Sequence, residues 1–121
     1  MSNLYIAKIS LYGKKISNLY KISLTNNGIP DLKEEKQSKY EEFDLYAYNN
    51  NSNICTLHEL LDYIHSLEKL DFVKTYNKSK HQYIIDDIVC FIKMLNHKFN
   101  NNENMVVFDH NYYQESLEYN E

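Results

Sequence analysis

Residues 79–99 read SKHQYIIDDIVCFIKMLNHKF, and how this stretch is taken decides the fold. It is the most apolar segment in a chain of 121 residues. As a helix it opens on Ser79 with Gln82 three positions later. This is the S-x-x-Q form of a capping box, in which two orphan backbone N–H groups are satisfied reciprocally. Ile84, Ile85, Ile88, Phe91, Ile92, Leu95 and Phe99 then recur at helical spacing, and Val89 and Met94 widen the apolar arc. Asp86, Lys93 and His97 form a polar wedge around Cys90. Lys93, His97 and Lys98 place positive charge near the C-terminal end, where the helix dipole favours it. The rival reading is a hairpin of Tyr83–Ile85 and Ile88–Ile92 turning at Asp86-Asp87. Its β-branched and aromatic residues suit strands, but Asp-Asp lacks the glycine a tight hairpin wants. A helix over 79–99 is therefore the expectation.

Immediately before it, Lys74, Tyr76, Lys78 and Lys80 make a cationic-aromatic cluster, and Phe72–Tyr76 reads as a short strand or a packed tail. Further back, Thr56 and Glu59 form a T-x-x-E capping box, with Cys55 placed to staple onto Leu60. Leu57, Leu60, Leu61, Ile64, Leu67 and Leu70 supply the apolar face of a helix over about 56–70.

The N-terminal part alternates. Tyr5, Ala7, Ile9 and Leu11 fall on one face of a strand, with Lys8, Ser10 and Tyr12 on the other. After a turn at Gly13-Lys14-Lys15, a second strand puts Ile16, Tyr20, Ile22 and Leu24 together. The two segments echo each other: SNLY stands at 2–5 and 17–20, KISL at 8–11 and 21–24. If they are copies, the two inserted residues preserve alternation, so both can bury the same kind of face. Residues 26–41 are a polar loop or a segment that orders on a partner. Residues 42–48 are a third strand, with Phe43, Leu45 and Ala47 opposite Asp44, Tyr46 and Tyr48. Met105–Phe108 reads as a short strand, and 109–121 as an acidic, tyrosine-rich tail. The whole is one domain, 1–121, of α+β class. A small antiparallel sheet of three or four strands is packed on one face by two helices, at about 56–70 and 79–99.

Composition narrows the function classes. There are 12 tyrosines, no tryptophan, two glycines, one proline, and no arginine among 13 basic residues. Asn, Lys, Ile and Tyr dominate, which points to an AT-rich genome. A net charge of −4 and the lack of guanidinium groups disfavour direct nucleic-acid binding. The remaining nucleic-acid or nucleotide patch is Lys74, Tyr76, Lys78 and Lys80. So few glycines leave no phosphate-cradling loop. Cys55 and Cys90 sit among apolar neighbours, as small buried hydrophobes in a reducing compartment. No basic n-region followed by an apolar h-region opens the sequence, and no apolar run approaches a membrane span. A cytoplasmic protein is expected, in the host cytoplasm if phage-encoded.

The histidines offer one metal reading. His58, Asp62 and His65 share a helix face, but HELLD has aspartate where H-E-x-x-H needs its second histidine, and that face is the solvent side. His110 beside Asp109, and His97 near Asp86 or Cys90, have nothing to orient them as acid–base or Cys–His pairs. No catalytic residue, metal or cofactor is expected, and a metal-dependent hydrolase is the least favoured alternative. Tyrosine is the more informative residue, since it is enriched in protein-binding surfaces. Tyr12, Tyr46, Tyr48, Tyr112 and Tyr113 are the candidate partner-binding residues. The expected function is a non-enzymatic protein-binding module that inhibits or regulates a larger protein or nucleoprotein. Phage and mobile-element antagonists of host defence, anti-CRISPR inhibitors among them, share this size and lack of motifs, as do immunity proteins and antitoxins. That likeness is of size and composition alone.

Overall fold

The computed structural model describes residues 2–26, 41–51, 53–99 and 106–107. Strands β1 (Asn3–Leu11) and β2 (Leu19–Thr25) pair antiparallel, with Lys8 opposite Tyr20 and Ala7 opposite Lys21. Strand β3 (Glu41–Tyr48) takes the other edge of β1. Helix α1 (Leu57–Lys69), β4 (Lys74–Asn77), β5 (Gln82–Ile84), helix α2 (Ile88–Lys98) and β6 (Val106–Val107) follow. The sheet is antiparallel in the order β4-β5-β2-β1-β3-β6, and among the described residues two helices accompany it, so the fold is α+β, as expected. The described residues form six strands, one of them two residues long, where three or four were expected.

Register assigns the faces. Leu4, Ile6, Tyr20, Ile22, Ala47 and Tyr83 lie on one side, where they join Leu60, Ile64 and Leu67 of α1 and Phe91, Ile92 and Leu95 of α2 in one buried cluster. Each such large side chain contributes roughly 1.5–3 kcal/mol through burial. Tyr63 ties the helices together: its ring meets Phe99 edge-on at 5.7 Å and its hydroxyl donates to the Met94 carbonyl at 3.3 Å. The opposite face is also buried at its centre, with Ile9 at 1% and Leu19 at 0% exposure. Lys8 and Lys21, equivalent in the sequence echo, point to opposite faces, because Lys8 pairs with Tyr20. The two segments therefore do not bury a common face.

Long side chains bridge strands over this second face: Lys80, in the turn before β5, reaches Glu41 at the start of β3 at 3.4 Å. Over the same face, Lys21 Nζ lies 5.5 Å from the Phe43 ring centroid, across the small Ala7.

The decisive stretch divides in two. Gln82–Ile84 is a strand, and the second helix starts only at Ile88. The strand half of the rival reading is right for this part, but its partners are β2 and β4, and Ile88–Ile92 is helical. Ser79 caps no helix; its hydroxyl donates to Asn77 Oδ1 at 3.0 Å. The cap is Asp87, whose Oδ1 accepts from Cys90 N at 3.0 Å. The physical reason is a non-local ladder: Leu19 opposite Ile84 and Tyr20 opposite Tyr83 outweigh the local helical pattern. In α1 the capping box forms as read, and Cys55 and Leu60 both enter the core. Leu57 and Leu70 do not, at 39% and 65% exposure. Apart from Asn26 and Glu41, the polar stretch 26–41 lies outside the described residues, as does the tail 109–121.

Candidate functional site

Helix α1 ends at Lys69 and the chain doubles back through Asp71 (φ 62°) into β4. The β4–β5 hairpin therefore runs beside the helix, and between them lies an open groove of about 730 Å³. Leu61, Ile64 and Tyr83 give it an apolar floor, while His65, Glu68, Thr75, Lys78, Ser79 and His81 bring polar groups to its walls. An apolar concavity with a few convergent polar groups is the usual form of a binding site.

Glu68 ties the helix to the hairpin across the groove. Its Oε1 accepts from Thr75 N at 3.0 Å and its Oε2 lies 3.5 Å from His65 Nδ1. The Thr75 hydrogen bonds, and then His65, hold its carboxyl below the usual glutamate value. This contact also takes up a backbone N–H of the edge strand β4. A bulge between Thr75 and Asn77 further interrupts that edge, so β4 is poorly disposed to accept another strand.

The other wall carries strain. The four-residue turn Lys78–His81 closes with His81 N donating to Lys78 O at 3.2 Å, and His81 takes a φ of 56°. Glycine is the default there; histidine is among the non-glycine residues that tolerate it best. His81 Nδ1 is covered and has no hydrogen-bond partner among the described residues. An unmatched buried polar atom costs about 1–3 kcal/mol. Burial, then Lys21, pushes the His81 imidazolium pKa down, so the ring is neutral near pH 7.

The residues expected to bind are not all brought together. Tyr12 is 67% exposed in the β1–β2 turn. Tyr46 is a correction: it is 7% exposed, packed edge-on against Tyr20 at 5.7 Å. A bulge in the β1–β3 ladder sets Leu45 opposite Ala7 but Ala47 opposite Ile6, breaking the alternation that placed Tyr46 outside. Tyr48 is half-buried. Tyr112 and Tyr113 lie outside the described residues.

The cationic cluster is gathered on the hairpin but divided in its use. Lys78 lines the groove. Tyr76 instead accepts a hydrogen bond from Lys14 Nζ at 3.0 Å, and Lys80 pairs with Glu41. Lys74 is exposed on β4. His58 pairs with Asp62 at 3.2 Å on solvent, while His65 turns to Glu68, so these three do not converge. Among the described residues no three His, Cys, Asp or Glu side chains are placed to hold a metal ion. Both cysteines are free; burial, with Glu59 beside it, pushes the Cys55 thiol up to about 11.

Sequence reasoning missed His65, Glu68 and His81 as a group. His65 and Glu68 have helical spacing, but nothing local shows that a hairpin folds back beside them. No described helix is long and apolar enough to cross a membrane. Compared with protein-family models, curated proteins and solved structures, the chain matches none.

Proposed function

We propose that this chain is a small non-enzymatic protein-binding module that docks on a larger partner through the α1–β4–β5 groove and so blocks or regulates it. The observation that carries the reading is the groove itself: apolar floor, polar walls, and a neutral histidine whose Nδ1 has no partner among the described residues. Its walls belong to a helix with a complete capping box and to strands of the central sheet, so little ordering accompanies binding. A phage or mobile-element antagonist of host defence would work in this manner, as would an immunity protein or antitoxin.

The test is affinity capture from a low-GC bacterial host with the tagged chain. One stoichiometric protein partner is expected, lost with Leu61→Glu and kept with Tyr12→Ala. Recovery of a clean monomer from the wild-type capture overturns the reading.

A further inference from the structure

The charges around the groove say what kind of segment enters it. The chain as a whole is acidic, with a net charge of −4, whereas of Glu68 and Lys78 in the groove lining the partly covered Glu68 is taken up in hydrogen bonds and Lys78 stands exposed. Both oxygens of Glu68 are engaged, by Thr75 and His65. Lys78, at the hairpin end, is exposed and lines the same cavity. Among the described residues the covered Nδ1 of His81 meets neither donor nor acceptor, and we assign the ring proton to Nε2. That leaves Nε2–H to donate. With the β4 edge obstructed by Glu68 and the bulge, an incoming chain is held by its side chains rather than by strand pairing.

Building on the docking reading above, we propose that the groove receives an extended acidic segment of the partner. One aromatic side chain of the segment sits on Leu61, Ile64 and Tyr83, a neighbouring carboxylate pairs with Lys78, and a carbonyl accepts from His81. A run of phosphates fits less well: Glu68 stands in the wall, Tyr76 and Lys80 are engaged elsewhere, and the chain has no arginine.

The test is fluorescence anisotropy on the full chain with short acidic peptides whose central residue is Trp, Tyr, Phe or Ala. Lysine-substituted counterparts and a labelled oligothymidine complete the set. The aromatic acidic peptides are expected to bind at least about tenfold tighter than the alanine one, a difference of about 1.4 kcal/mol. The basic peptides should not bind. Lys78→Glu, on an exposed side chain, should weaken binding about tenfold, while Lys93→Glu on α2 should leave it unchanged. Equal binding of the alanine peptide, preference for the basic set, no binding by any acidic aromatic peptide, or tighter binding of oligothymidine overturns the proposal. If partner capture depends on Leu61 but the peptides fail, only the segment's chemistry falls. If capture ignores Leu61→Glu, the docking reading itself falls.

Discussion

The two hairpins that flank β2 solve the same backbone problem with different residues. In the connection from β1 to β2, Lys14 N closes a turn on Leu11 O at 3.3 Å and Gly13 takes φ 77°. Nothing lies within 4 Å of where a Cβ would stand, so glycine is there for conformation and not for space. In the connection from β4 to β5 the left-handed position belongs to His81, with an unmatched Nδ1. Among the described residues none of the first turn lines the groove, although its Lys14 donates to Tyr76 on β4. The second forms one wall of the groove and retains strain that a glycine would relieve. Strain of this kind is a reason to look for function at the site that keeps it.

The largest expected effect tests what the two hairpins share. Ile22, fully buried on β2, supports both, so Ile22→Ala should cost roughly 2–5 kcal/mol in urea denaturation. A loss below about 1 kcal/mol would mean that the core is not shared as described.

The next pair separates the hairpins. Gly13→Ala forces a Cβ into the left-handed region and should destabilise by roughly 1–2 kcal/mol. His81→Gly relieves a similar cost and removes the orphan nitrogen, set against glycine's extra unfolded-state entropy of roughly 0.4–1 kcal/mol. Stability should therefore rise, by up to about 1 kcal/mol. Changes of the same sign at the two positions would erase the contrast.

A smaller effect lies in pH. The folded-state pKa of His81 is below the ordinary 6.5, so the unfolded chain binds the proton more readily. Stability from this group is complete above about 6.5 and is lost as pH falls towards the lower folded value. Glu59 and Glu68, lowered from 4.5, lose their contributions only in more acid solution. Denaturation at about pH 7.5 and about pH 5.5 should show a drop in the wild type that shrinks in His81→Gly. An equal drop in both assigns the effect elsewhere.

Last, Cys55 precedes α1, which forms the groove's other wall, and its thiol is buried with its pKa at about 11. Alkylation at about pH 8 should follow global unfolding, since the thiolate is scarce and covered. Rapid labelling in native buffer would show that this end of the wall opens by itself.

What the sequence made legible was local. The T-x-x-E box at Thr56 and the leucine periodicity place α1 correctly, because a helix start is written in adjacent residues. Strand alternation places β1 and β2, and the short apolar Met105–Phe108 segment contains β6. The division of 79–99 was not legible, because Tyr83 and Ile84 are strand residues only by pairing with Tyr20 and Leu19 far earlier in the chain. The actual cap, Asp87, lies inside a run whose apolar residues continue on either side, so no local pattern sets it apart. The inward turn of Tyr46 depends on a bulge against β1 that no pattern within β3 reveals. Of the site, the lysines on the hairpin were visible. Its histidines and Glu68 meet only because β4 folds back beside α1.

The most direct test of the claim that this hairpin trades stability for binding is to measure both quantities on one variant, His81→Gly. Urea denaturation should show a gain, and anisotropy with the aromatic acidic peptide should show a loss of about tenfold. A destabilised variant that binds as tightly as wild type would contradict the account.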